Sequence, residues 1–145
     1  MLKAVNFVRL LSILFFLITL SLVYAYLDPV VKLSIDADAS TIHRTNFFYF
    51  GAALFLMINS FLWILLKIMA PLIEHKYGEL SAGWFAALPV VVNFYICFLV
   101  GFLGVLNNPS NIQFSSYEYL NYLGPILLLV WGILIIYFMS TKKSI

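Results

Sequence analysis

The side chains that most often carry out catalysis are few in this chain of 145 residues. Neither His43 nor His75 falls within a long uncharged run, so we do not expect a haem held between two histidines of a helical bundle. Cys97 is the only cysteine, which excludes an intrachain disulfide and a CxxC or Cys/His zinc site. The chain has no Ser–His–Asp arrangement, no carboxylates paired at helical spacing and no glycine-rich phosphate loop. We therefore predict no catalytic residue, no cofactor and no metal ion, and a protein that is not an enzyme.

One enzymatic alternative stays open, and it uses polar residues that lie between the apolar runs. A histidine or carboxylate at the membrane surface could act as an acid or a base. Loop residues of these types are more often simply solvated, so we rank this hypothesis last. The residues concerned are Asp36, Asp38, His43, Arg44, Glu74 and His75.

Asn59 and Asn93 are neutral polar residues inside two successive apolar runs. Asn59 precedes Lys67 by eight residues, and Asn93 follows Trp84 by nine. A helix rises about 1.5 Å per residue, so both asparagines lie ~12–14 Å from the same membrane boundary and can meet near mid-bilayer. We expect a hydrogen bond there that fixes the register of the two helices. The alternative role is an uncharged polar contact for a substrate or a partner helix.

The run from Trp84 to Leu106 carries its small and polar residues on one side. Ala86, Asn93, Cys97, Gly101 and Gly104 follow one another at gaps of 7, 4, 4 and 3, which is the repeat of one helical face. Trp131 lies near the middle of the last run, and we expect its indole N–H to bond Asn59 or a backbone carbonyl. The residues predicted to pack helices or bind a partner are Asn59, Asn93, Cys97, Gly101, Gly104 and Trp131.

Four uncharged runs position these residues. Hydrophobic residues make up 64% of the chain and charged residues 10%, against roughly 25% charged in soluble domains. About 20 apolar residues cross a bilayer as a helix. We predict a single all-α membrane domain, a bundle of four transmembrane helices with a short extended piece after Pro29. The spans are approximately 8–27, 47–69, 84–106 and 120–139, the outer loops are 28–46 and 107–119, and the inner loop is 70–83.

Two prolines are expected to interrupt the helices. Pro71 should end the second helix at the start of the inner loop. Pro89 should kink the third span, because a proline removes one backbone hydrogen bond and would leave the carbonyl of Phe85 without its usual donor. The kink lies one turn from Asn93, where it could open a small cavity.

The first run has two interpretations. Lys3 and Arg9 precede an apolar stretch, and Val23-Tyr24-Ala25 resembles the small-residue cleavage site of a secretory signal peptide. However, the uncharged run is 18 residues long, from Leu10 to Leu27, and it continues past that site. We favour a retained span and keep the cleaved signal peptide as the alternative.

The distribution of positive charge predicts that both termini lie in the cytoplasm. With the N-terminus inside, six Lys and Arg residues fall on the cytoplasmic side and two, Lys32 and Arg44, fall outside. A net charge of +2 gives no reason to expect nucleic acid. The bias toward Phe, Ile, Asn, Tyr and Lys and the lack of a glycosylation sequon indicate a bacterial inner-membrane protein.

Two functions fit this pattern better than catalysis. The first is a non-enzymatic accessory, scaffold or assembly subunit of a larger membrane protein complex, because such a subunit needs only complementary helix surfaces. The second is a small oligomeric transporter or channel for an uncharged or lipidic substrate. The expected partners are membrane lipids and either other integral membrane subunits or further copies of the chain.

Overall fold

The computed structural model of the protein describes residues 2–35, 38–108 and 114–141. In those residues, four helical segments are long and apolar enough to cross a membrane, when α3 and α4 are taken together. The predicted set of four apolar helices is thus confirmed. The elements in chain order are α1 (Leu2–Tyr26), β1 (Val30–Lys32), β2 (Thr41–His43), α2 (Arg44–Tyr77), α3 (Glu79–Ala86), α4 (Leu88–Leu106), a 3₁₀ turn (Phe114–Tyr117) and α5 (Leu120–Thr141).

Helix α2 does not end at Pro71, and that expectation was wrong. The helix runs through the proline to Tyr77, for 34 residues in all. A proline within a helix loses only its own N–H bond, and the helices of membrane proteins tolerate this loss. The helix stops at Gly78, whose φ of 87° lies in a region that only glycine enters without strain. Gly78 is therefore the one residue of the expected loop 70–83 that lies outside a helix.

Pro89 lies at the start of a helix, so the expected kink within a continuous third helix was wrong. The chain leaves α3 after Ala86, turns at Ala87 and begins α4 at Leu88, so Pro89 lies in the first turn of α4. A proline fits there because the first N–H groups of a helix have no intrahelical acceptor. The third span is consequently two helices joined at Ala87.

Helix α4 is the centre of the bundle. Its most extensive contacts are with α1 on one side and α5 on another, and it also contacts α2. Between α1, α2 and α4, the rings of Phe16 and Phe55 stack in parallel with their centroids 3.7 Å apart. The buried residues that form the core with them are Leu20, Leu27, Val31, Phe47, Cys97 and Val100.

A two-stranded antiparallel hairpin covers one end of the bundle, called the hairpin end below. Val30 pairs with His43, and Lys32 pairs with Thr41. Asn107, just after α4, binds the edge of the hairpin as a strand would: its Oδ1 accepts from the N–H of Lys32 at 2.6 Å, and its Nδ2 donates to the carbonyl of Lys32 at 2.9 Å. The opposite end, which carries α3, is called the α3 end.

Candidate functional site

The structure places Asn59 of α2 and Asn93 of α4 in direct contact, where the depth argument predicts that they can meet. Nδ2 of Asn59 donates to Oδ1 of Asn93 at 2.8 Å. Asn93 is completely buried and Asn59 is 9% exposed. Asn93 therefore points into the bundle of its own chain, and this polar bond joins α2 to the central helix.

Ser12 of α1 extends this bond into a network of three helices and sets its direction. The Ser12 hydroxyl donates its one proton to the carbonyl of Arg9 at 2.7 Å, so it accepts from Nδ2 of Asn93, at 2.8 Å. Asn93 must then present Oδ1 to Asn59, whose Nδ2 also donates to the carbonyl of Phe55 at 3.1 Å. Nδ2 of Asn59 thus makes both of these bonds, and Oδ1 of Asn59 takes part in neither.

Two polar atoms near this network are buried without a hydrogen-bond partner. They are Oδ1 of Asn59, which is an acceptor, and Nε of Arg9, which is a donor. Burying a polar atom without a partner costs about 1–3 kcal/mol, so such atoms are rare in folded proteins. The two residues line the same groove, so both an unmet acceptor and an unmet donor belong to its lining residues.

The groove lies between α1 and α2, has a volume of about 410 Å³, and is called the α1–α2 groove. Nζ of Lys67 lies 3.9 Å from the centroid of the Trp63 ring, on the same helix as most of the groove. Its lining combines polar with apolar side chains: Arg9, Leu56, Asn59, Ser60, Trp63 and Ile64.

Arg9 lies within α1 and not at its start. Helix α1 already begins at Leu2, so Arg9 is its eighth residue and lies two turns from its start. Its side chain is half-buried against α2. Sequence reasoning also missed Ser12; its only signal was a hydroxyl in an apolar stretch that also contains Thr19 and Ser21.

Trp131 of α5 does not reach Asn59. Its indole Nε1 donates to the carbonyl of Trp84 at 2.9 Å. That carbonyl lies in the last turn of α3, where the break at Ala87 interrupts the regular helical bonds. The prediction of a backbone acceptor for Trp131 therefore agrees with the structure, and the bond ties α5 to the break in the third span.

The remaining predicted residues of α4 have different surroundings. Cys97 is buried in the core that α4 forms with α1 and α2. A Cβ atom at Gly104 would lie 2.8 Å from Cγ2 of Val23, so this glycine permits the close approach of α1. Nothing lies within 4 Å of where a Cβ atom of Gly101 would be, so Gly101 faces open space.

Gly124 of α5 was not singled out from the sequence, yet it packs more closely on a neighbouring helix than Gly51 or Gly104 does. A Cβ atom at this position would overlap the ring of Tyr95 on α4. Only glycine therefore allows α5 to pack against α4 at this point. The sequence signal, a glycine before Pro125, was open to the simpler interpretation of a helix start.

The polar loop residues considered for catalysis have other surroundings. Nδ1 of His43 accepts from the N–H of Thr45 at 3.3 Å and caps α2. Glu74 and His75 are exposed near the end of α2. Asp36 lies outside the described residues. In the part of the chain that the structure describes, no three His, Cys, Asp or Glu residues are grouped so as to hold a metal ion.

No protein-family model, curated protein or solved structure matches this chain. The function must therefore be inferred from the polar network, the grooves and the charges of the chain itself. Among these, the polar network holds helices together, and the grooves are surfaces at which another molecule could bind.

Proposed function

We propose that the protein is a multi-pass membrane protein with both termini in the cytoplasm, of the bacterial inner membrane, that acts as a non-enzymatic accessory or scaffold subunit. The positive charges on the α3 side of the spans support the orientation. The polar network of Ser12, Asn93 and Asn59 supports a stable internal frame, since its side chains bond to one another within the bundle.

The main support for the proposal is an open groove between α1 and α4 whose lining includes two glycines. It has a volume of about 180 Å³ and is called the α1–α4 groove. Gly101 and Gly104 belong to its lining, and Gly101 leaves open space where a side chain would be. Small residues of this kind let a second helix approach closely in lipid, where hydrophobicity alone does not favour helix association. Leu22, Val23 and Tyr26 of α1 contribute its other wall.

The test fills this groove without disturbing the bundle. Gly101→Leu introduces a side chain into the open space, and Gly132→Leu on α5 is the matched control because nothing lies within 4 Å of its Cβ position either. The two proteins, with the same affinity tag, are purified from native membranes in mild detergent, and co-purifying proteins are quantified by mass spectrometry.

We expect Gly101→Leu to lose a membrane partner that the unmodified chain and Gly132→Leu retain. A chain that purifies alone in all three forms would contradict the proposal. Equal retention by both variants would show that the partner binds elsewhere than the α1–α4 groove.

The alternative of a transporter or channel has less support. The space between α1, α2 and α4 is filled by the stacked rings of Phe16 and Phe55 and by the buried Asn93. A path through one copy would have to displace these side chains, so transport would need several copies around a shared pore. Flux of an uncharged or lipidic solute into liposomes that contain only this protein would favour the alternative, and loss of that flux in Asn93→Leu would assign a role to Asn93.

A further inference from the structure

The α1–α2 groove contains an unmet hydrogen-bond acceptor inside the bundle. Asn59 is 9% exposed, and its Oδ1 has no partner, although its Nδ2 bonds Asn93 and the carbonyl of Phe55. Asn59 lines the groove, and the direction of the polar network, set by Ser12, commits its Nδ2 to other acceptors, so Oδ1 is the atom of this amide that still lacks a bond. A molecule in the groove that donates a hydrogen bond would satisfy it.

The same groove contains a positive charge without a counter-charge on the helices that flank it. Arg9 lines the groove, and its buried Nε lacks an acceptor. No Asp or Glu occurs in residues 1–27 or in residues 45–73, which include all of α1 and the length of α2 that lines the groove. A guanidinium away from water is strongly stabilised by an anion, and it pairs best with the two oxygens of a carboxylate or phosphate.

A cation lies beyond one end of the groove on α2, and an apolar residue lies at the other end. Lys67 lies two turns from Asn59 toward the α3 end, with its amine over the ring of Trp63. Leu56 lies one turn from Asn59 toward the hairpin end, so it adds apolar surface deeper in the span. This order matches a lipid with its headgroup toward the α3 end and its acyl chains toward the middle of the membrane.

We propose that the α1–α2 groove binds the phosphate of a membrane lipid that also carries an O–H donor. Phosphate oxygens accept from the Arg9 guanidinium, the O–H donates to Oδ1 of Asn59, and an acyl chain lies along Leu56. The donor is either the protonated oxygen of a phosphomonoester or a hydroxyl of a phosphodiester headgroup. This site goes beyond the proposed function, because a scaffold subunit needs no such ligand.

The first experiment compares lipids on the unmodified full-length protein, so it does not depend on the folding of a variant. Native mass spectrometry titrates the protein with four dioleoyl lipids: phosphatidic acid, phosphatidylglycerol, phosphatidylmethanol and phosphatidylcholine. The first two have an anionic phosphate and an O–H donor, phosphatidylmethanol has the anion alone, and phosphatidylcholine has neither a net charge nor a donor.

We expect phosphatidic acid or phosphatidylglycerol to bind at least about tenfold more tightly than phosphatidylcholine, in a complex of one lipid per protein. Phosphatidylmethanol should bind more weakly than phosphatidylglycerol, because it cannot donate to Asn59. Comparison of phosphatidic acid with phosphatidylglycerol shows which donor the groove prefers. Equal affinity for all four lipids would overturn the proposal.

The second experiment assigns the binding to the groove. Arg9→Gln removes the guanidinium, and Lys3→Gln is the matched control because it removes one positive charge from an exposed position on the same helix. Arg9→Gln should reduce the preference for the anionic lipids about tenfold, Arg9→Lys should restore part of it, and Lys3→Gln should leave it unchanged. Thermal unfolding of each variant shows whether the bundle is intact.

Equal losses in Arg9→Gln and Lys3→Gln would overturn the proposal, since they would indicate attraction by net charge alone. Saturation of the site by an acidic segment of a co-purified protein, with no lipid preference after its removal, would overturn it as well. Partner capture through Gly101 does not depend on any of these outcomes, so failure of the lipid site and failure of the scaffold function are distinguishable.

Discussion

Helix α4 is held on its two sides by different kinds of contact. Toward α1 and α2, polar side chains bond across the helices, with Asn93 between Ser12 and Asn59. Toward α5, shape decides the contact, because the ring of Tyr95 lies against Gly124 with no room for a side chain. The α1–α2 side also carries the two unpartnered polar atoms.

The difference separates a contact that fixes position from one that provides tight packing. Hydrogen bonds between membrane helices contribute only about 0.6 kcal/mol on average, because the separated helices also find partners. Close van der Waals packing is then the main source of helix association in lipid. We infer that the Gly124 contact toward α5 tolerates substitution least, and that the hydrogen bonds toward α1 and α2 set register and contribute less to stability.

We expect the largest loss of stability when the contact between α4 and α5 is overfilled. Gly124→Val places methyl groups within the ring of Tyr95, and overpacking of this kind costs about 3 kcal/mol. We expect a large drop in the unfolding temperature in detergent micelles, measured by circular dichroism. Gly132→Val on the same helix is the control, since its Cβ position is open. Equal stability of the two variants would show that α5 is held by other contacts.

The next largest effect should come from the centre of the polar network. Asn93→Leu leaves Ser12 and Asn59 without a shared partner, and we expect a loss of about 1–2 kcal/mol in the free energy of unfolding. Asn6→Leu, at an exposed position of α1, is the control and should change little. The loss is measured by unfolding in mixed micelles. A loss larger than that of Gly124→Val would reverse the proposed order of the two sides.

Gly104 tests the packing component on the side of α1. Gly104→Ala brings a Cβ atom to 2.8 Å from Val23, and we expect destabilisation of about 1 kcal/mol. Val23→Ala should relieve the clash, so the double variant should recover stability relative to Gly104→Ala. Gly101→Ala meets no atom within 4 Å and should be neutral or slightly stabilising, because alanine favours a helix. Thermal unfolding of the four variants decides whether the clash is real.

The smallest effect concerns the hydrogen bond that Trp131 of α5 donates to α3. Trp131→Phe keeps an aromatic ring beside Phe85 but removes the indole donor to the carbonyl of Trp84. A hydrogen bond of this kind contributes about 0.5–1.5 kcal/mol. Trp63→Phe, in the exposed face of α2, should cost less and serves as the control. Equal effects would indicate that the Trp131 bond adds nothing beyond ring packing.

Parts of the structure that depend on rise and hydropathy along one helix could be predicted. The four apolar helices follow from uncharged runs, since lipid requires backbone hydrogen bonds to be made within each segment. The contact of Asn59 with Asn93 follows from counting residues on two antiparallel helices joined by a short connection.

Parts that depend on the rotation of a helix about its own axis could not. Polar residues recur at steps of three along α1 as far as Arg9 and Ser12, but the first of them are exposed and Ser12 is buried, so this pattern does not show which face turns toward a neighbour. The residues that follow Gly124 are apolar and give no such pattern. The expected effects of Pro71 and Pro89 failed for a related reason. Each proline lacks a backbone N–H, and whether the helix continues through it or restarts at it is decided by the packing around it.

The number of apolar helices and the meeting of Asn59 with Asn93 therefore follow from the order of residues along the chain. That Asn93 faces inward, that Gly101 faces open space, and that Arg9 and Asn59 share a groove depends on how the helices pack. The physical reason is that lipid is as apolar as a protein core, so a membrane helix gains no hydrophobic preference for either face. Its orientation is chosen by steric fit and by a few hydrogen bonds, and both require the neighbouring helix to be in place.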